Sequence, residues 1–197
     1  MPRQVDHAQR RREIADALWR VVADQGVDAV SLRRVAGEAG VSMGLVQHYF
    51  HTRDEMLLFA FEIVGERVAE ECGRLLSEMD DPGPRDRVRV LLTQWLPIDE
   101  RRLREARALL AHLVSGRDDV ITRSVRDGVG QLRGHVASEI AAAGAVDDPA
   151  LATTVLLGLA DGLTVHVLGA GLDPQDALRA LDAGLDAAFG PEPPAST

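Results

Sequence analysis

An all-α fold is predicted for this chain of 197 residues, and three observations predict it. Apolar residues recur at intervals of three and four almost throughout, the spacing of one helix face. Strand signals are missing: there is no sustained alternation and no hairpin dipeptide between β-branched runs. Helix starts are marked by Ser and Thr caps early in the chain and by Asp148-Pro149 and Asp173-Pro174 near its end. At 46% hydrophobic residues the composition is ample for a packed core, in one or two domains.

The first helix is expected from Ala8 to Asp24. Ile14, Leu18, Val21 and Val22 form its buried stripe, and Gly26 ends it. Trp19 stands one position off the stripe and is assigned to core packing. The run Arg10, Arg11 and Arg12 suits phosphates, a minor groove or a solvated charged end.

Three short helix signals follow between Ser31 and Phe59. Ser31 is a good N-cap, with Val30 and Val35 placed as a hydrophobic staple, and Gly40 ends that helix. Ser42 caps the next helix at once, with Val41 and Val46 as a second staple. Thr52 opens a third helix, with Glu55 completing a capping box. Two short helices joined through a single Gly form the helix-turn-helix pattern. In its second helix Val46 and Phe50 share the inward stripe, with Tyr49 at the edge. Met43, Gly44, Gln47 and His48 are left on the outer face, with Leu45 between the two. Gln47 can pair bidentately with adenine, and Leu45 or Met43 can touch a thymine methyl, so this face suits the major groove.

The helix opened at Thr52 is expected to run to Met79, and the segment Asp80 to Pro84 (DDPGP) breaks the chain. Five helices are read beyond it, at 85–96, 98–115, 117–143, 149–168 and 174–189, with Gly116 and Gly144 closing two of them. Residues 149–168 are apolar nearly all round, which means burial on more than one side. A membrane span competes with that reading, but Asp161 near its centre would cost ~2.5–3.5 kcal/mol there. Gly158 and Gly162 would admit another helix closely, and Leu178, Leu181, Leu185 and Phe189 line one side of the last helix. Domain limits of 1–52 for the helix-turn-helix part and 53–190 for a larger α-helical part are expected, with a loose tail at 191–197.

The stretch LRRVAGEAGVSMGLVQHYFHTRDEML resembles the DNA-binding region of the tetracycline-repressor (TetR) family of bacterial transcription regulators, and the resemblance covers residues 8–60. It implies that Val41 to Phe50 is the recognition helix and that Ser31, Arg33, Tyr49 and Arg53 reach phosphates. Ser42, at the recognition helix's start, is counted among the DNA-binding residues. The family often has Lys where Arg53 stands, and many relatives carry Tyr or Trp where Gln47 and His48 stand. Asp161-Gly162-Leu163 and the order of the last two helices resemble the dimer-forming part of the betaine-regulator (BetI-like) group. The resemblance implies a homodimer on a palindromic double-stranded DNA operator, released by a small-molecule effector.

The formal net charge of −9 argues against DNA binding until it is placed. Residues 1–60 hold eight Arg against eight acidic residues, and the excess of acid lies entirely in the remainder. Clustered local charge, not overall pI, is what phosphates need. Polar residues on otherwise apolar helices are candidate effector contacts: Trp95, His112, His135, Thr154, Asp161, Thr164 and His166. Asp161 could accept a cationic molecule or cap a neighbouring helix. Pro2 to Glu13 is too polar for a signal peptide, and the single Cys72 fits a reducing cytoplasm. No HExxH, His/Cys metal spacing, GxSxG, P-loop or GxGxxG is present, so no enzyme, metal site or cofactor is expected. The reading is thus a DNA-binding regulator, foremost an effector-released repressor. An activator or ligand-independent regulator stays open, as does an α-helical binding protein or enzyme with a structural first domain.

Overall fold

The computed structural model describes residues 2–114 and 120–190. Gly116, the expected helix start at 117 and the tail at 191–197 lie outside the described residues. Among those described, the elements are α1 (Pro2–Gln25), a 3-10 turn (Val27–Ala29), α2 (Leu32–Glu38), α3 (Met43–Tyr49) and α4 (Arg53–Ser77). After these come α5 (Pro84–Trp95), α6 (Glu100–Val114), α7 (Val120–Ala143), α8 (Pro149–Gly169) and α9 (Pro174–Phe189). No strand occurs among the described residues. Two compact units result, Met1–Arg67 with Arg104–Arg126 and Val68–Leu103 with Asp127–Thr197. Helices α4, α6 and α7 contribute residues to both.

The first unit is built on the stripe expected in α1. Ile14, Leu18, Val21 and Val22 pack with Val35 and Ala36 of α2, Val46 of α3, Phe50, and Met56, Leu57, Ala60 and Ile63 of α4. Ala108 of α6 and Ile121 of α7 complete this core. Each large aliphatic side chain buried here contributes ~1.5–3 kcal/mol. Trp19 packs edge-on to Phe61 at 5.2 Å between centroids, and its indole N–H donates to the Ala60 carbonyl at 3.3 Å. Helix α1 starts at Pro2 rather than Ala8. The extension has no apolar stripe, so periodicity gave no signal for it.

The second unit buries Val88, Leu92 and Leu96, Val136 and Ile140, Leu156, Leu157 and Leu163, and Ala177, Leu181, Leu185 and Ala188. The row expected on the last helix holds, with Leu181 and Leu185 fully buried and Leu178 and Phe189 packed at its margin. Asp148 and Asp173 cap α8 and α9 as the Asp-Pro pairs predict, accepting from Leu151 N–H and Gln175 N–H. The close approach within the chain falls at Gly184, not at Gly158 or Gly162. A methyl at Gly184 would run into Leu159, whereas nothing stands within 4 Å of one at Gly158 or Gly162. Arg85 meets Asp186 and Arg89 meets Asp182, both at 2.6 Å, so α5 and α9 run antiparallel with one ion pair per turn. Arg87 pairs with Glu139 of α7 at 2.9 Å, and that carboxylate raises the arginine's pKa further.

Candidate nucleic-acid interface

Local capping sets the geometry of the helix-turn-helix. Ser31 Oγ accepts from Arg34 N–H at 3.2 Å, and Ser42 Oγ accepts from Leu45 N–H at 3.2 Å. Between them the chain turns through Gly40 at φ 66°, the left-handed region that glycine enters without strain. Gly40 N–H donates to Gly37 O and Val41 N–H donates to Ala36 O, the paired bonds of a Schellman ending. Two residues after the αL glycine the next helix is already capped, so the angle between α2 and α3 is set within a few peptides.

The third cap differs in part from the expected box. Thr52 Oγ1 accepts from Glu55 N–H at 3.0 Å, but the Glu55 carboxylate takes the N–H of His51, at 2.8 Å, rather than that of Thr52. The chain leaves α3 extended at Phe50 (φ −139°), which brings the His51 amide rather than the Thr52 amide to the carboxylate.

The faces of α3 fall as the spacing predicts. Val46 and Phe50 are fully buried, Leu45 and Tyr49 are half-buried, and Ser42, Met43, Gly44, Gln47 and His48 are exposed. Ser31 and Arg33 are exposed too, and Arg33 makes no hydrogen bond or ion pair among the described residues. An unpaired guanidinium beside a capped helix start is suited to a phosphate. Arg34 is held by Gln25 at 2.5 Å, and Arg20 by Glu38 at 2.7 Å.

Arg53 is placed differently from a free phosphate contact. Its guanidinium turns back onto the first unit, donating to Val30 O at 3.0 Å and to Val27 O at 2.9 Å. These carbonyls belong to the 3-10 turn and its exit, so Arg53 fastens the start of α4 to the segment that leads into α2. The arginine run divides likewise. Arg10 pairs with Glu13 at 2.6 Å and Arg12 with Glu66 at 3.4 Å. Arg11 lies over the rings of Phe59 and Phe50, at 4.0 and 5.2 Å from their centroids, a contact worth ~0.5–2 kcal/mol.

Sequence reasoning missed His7. Its Nδ1 stands 2.9 Å from the Tyr49 hydroxyl, and the His7, His48 and Tyr49 rings cluster at 5.1–6.2 Å. The pair is separated by forty-two positions, and no local pattern links them.

Of the candidate effector contacts, the second unit brings three together. Trp95 donates its indole N–H to Asp161 Oδ1 at 2.9 Å, and the Thr164 hydroxyl is 3.5 Å from the Trp95 carbonyl. Thr154 and His135 lie elsewhere. The Thr154 hydroxyl bonds the Ala150 carbonyl and accepts from Arg133, and His135 is 3.9 Å from Glu139. His166 is exposed near the end of α8. His112 is buried in the first unit, 3.4 Å from the Thr122 hydroxyl. Among the described residues no group of His, Cys, Asp and Glu could hold a metal ion.

A capped helix-turn-helix with an exposed second helix, followed by a larger helical part, defines a DNA-binding transcriptional regulator. Comparison with known proteins gives the family. Residues 14–59 match the family model of the bacterial regulatory proteins of the tetR family, and residues 84–190 match that of the BetI-type transcriptional repressor C-terminal region. The HTH-type transcriptional regulator PksA of Bacillus subtilis is 34% identical over 181 residues, which cover 88% of this chain and 84% of PksA. A transcriptional regulator from Rhodococcus sp. Rha1 superposes with TM-score 0.77 at 28% identity, covering 93% of this chain and 99% of that one. A regulator from Saccharomonospora viridis solved in complex with choline has the same fold, with TM-score 0.77 at 21% identity over 91% of this chain and 96% of its own. The chain belongs to the TetR family, with a BetI-type C-terminal region.

Proposed function

We propose that this regulator is a repressor that binds a palindromic operator as a homodimer and leaves it when a small molecule occupies the second unit. The observation that carries the reading is the exposed face of α3. Gln47 stands there for adenine, with Met43, Leu45, Gly44 and His48 against neighbouring base edges. Ser31, Arg33, Ser42, Tyr49 and Arg53 serve the phosphates, Arg53 chiefly through the turn it fastens.

Dimerisation is supported by α8. Leu151, Val155 and Val165 are 60%, 62% and 46% exposed, and with Gly158 and Gly162 they form a stripe at alternating spacings of four and three. That is the seam spacing of packed helices, and the glycines leave room for a second backbone. Helix α8 is long and apolar enough to cross a membrane, but its other side packs into the second unit's core and Asp161 lies mid-helix. A partner copy therefore covers the stripe better than lipid does, and a cytoplasmic protein is the matching location.

For the effector, the exposed Asp161 carboxylate beside the Trp95 indole favours a small cation. Release requires that the molecule bind the non-operator conformation more tightly, because equal affinity for both shifts nothing. Selection of binding sites with purified protein, followed by a DNA-release screen of cationic, lipophilic and aromatic metabolites, tests the whole reading. A palindrome and a releasing ligand support it. Tight, sequence-specific binding that no ligand alters favours a ligand-independent regulator.

A further inference from the structure

Stacking on an aromatic ring occupies the face of a guanidinium and leaves its N–H edge free. Arg11 is held in this way. Its central carbon stands 4.0 Å from the centroid of the Phe59 ring and 5.2 Å from that of Phe50. Its Nε is buried, whereas its two Nη groups are neither buried nor hydrogen-bonded among the described residues. The rings fix the group without neutralising it. The other arginines of the run are committed to carboxylates, Arg10 to Glu13 and Arg12 to Glu66. Three and four positions from Arg11 along α1 stand His7, Ala8, Ile14 and Ala15, none of them acidic.

The place of Arg11 follows from the packing of α1. It continues the stripe of Ile14, Ala15 and Leu18, all fully buried, so the helix turns it toward α3 and α4. Phe50 directly follows α3, and Tyr49 is the last residue of that helix. The Tyr49 hydroxyl stands 2.9 Å from Nδ1 of His7, one turn before Arg11 on α1. Helix α1 therefore lays Arg11 beside the C-terminal end of α3, while Ser42 caps the other end. Seven residues of helix span about 10 Å, comparable with the width of a major groove, about 12 Å. We infer that Arg11 binds a backbone phosphate of the operator at the Tyr49 end of the recognition helix, with the Phe59 and Phe50 rings holding its fork in place beforehand. The inference rests on the reading of α3 as the helix that enters the major groove. Both Nη groups can reach one phosphate together, and the contact carries charge but no base preference.

The test uses the full-length protein and a selected palindrome, with wild type, Arg11→Met, Arg11→Gln and Arg10→Met compared at several salt concentrations. Circular dichroism confirms each fold. Arg10→Met removes the same charge one position away and so controls for loss of charge alone. Both neutral Arg11 variants should bind at least about tenfold more weakly per half-site, the factor of one charge-assisted hydrogen bond. Their salt slope should fall by about two on the palindrome, one per subunit, and by clearly less in Arg10→Met. Operators in which single phosphates are replaced by uncharged methylphosphonate then locate the contact. One position in each half-site should weaken wild type and leave the Arg11 variants unaffected. A wild-type salt slope in the neutral variants, an equal change in Arg10→Met, or a methylphosphonate profile shared by all the proteins would overturn the inference and leave α3 as the reader of bases. A chain that folds in neither neutral variant would make Arg11 a fastener of α1 and overturn it as well. Wild type that binds palindrome and scrambled DNA alike would instead remove the docking of α3 on which the inference rests.

Discussion

Arg53 spends two of its guanidinium donors on the Val30 and Val27 carbonyls, so its removal acts on the fold before it acts on DNA. Arg53→Ala should lower unfolding stability by ~1–3 kcal/mol, because two carbonyls lose a charged partner. Chemical denaturation measures this. If stability is unchanged while the salt slope of DNA binding drops by about one per contact, Arg53 is a plain phosphate ligand instead. Gln47 is the opposite case, exposed and free of structural duty. Gln47→Ala should leave stability within ~0.5 kcal/mol of wild type. It should cost ~1–3 kcal/mol of operator affinity and relax preference at one position in each half-site. Cys72 gives a third expectation. Burial, aided by the Glu71 charge, pushes its thiol pKa up, so the reactive thiolate is scarcer than in an open chain. Iodoacetamide at pH 7.5 should therefore modify the native protein more slowly than the unfolded one, and equal rates would contradict this.

At the scale of elements, two glycine positions on the last helices separate packing inside the chain from packing between copies. Gly184 lies against Leu159 and Leu156, so Gly184→Leu should overpack the α8–α9 contact and cost ~1–3 kcal/mol. Gly162 faces open space in a single chain. Gly162→Leu should leave helix content intact yet shift the protein toward monomer in sedimentation. A stable dimer in that variant would move the dimer surface off α8. The sequence showed the caps clearly, because a Ser, Thr or Asp side chain bonds amides two or three residues on, as Ser31, Ser42, Thr52, Asp148 and Asp173 all do. Exposure on α3 was legible for the same reason, since helical spacing alone separates Val46 and Phe50 from Gln47 and His48. Contacts made across long separations were not. The His7–Tyr49 bond, the Arg11–Phe59 stack and the Gly184–Leu159 approach each depend on how whole helices meet. The early start of α1 was hidden because its first turns have no apolar stripe.

For the molecule as a whole, acid and base are divided along the sequence, with the neutral, arginine-clustered first sixty residues ahead of an acidic remainder. The positive charge available to phosphates is local, and a dimer should present it twice, on half-sites about one helical turn apart. The most direct test of the account is the affinity of wild type and Gln47→Ala for a selected palindrome, for its single half-site and for scrambled DNA, each at several salt concentrations. Wild type should prefer the palindrome over scrambled DNA by at least about a thousandfold, and Gln47→Ala should lose discrimination at one base pair per half-site while keeping the wild-type salt slope. Equal binding of palindrome and scrambled DNA, or a Gln47→Ala protein with the full wild-type base preference, would contradict recognition through α3.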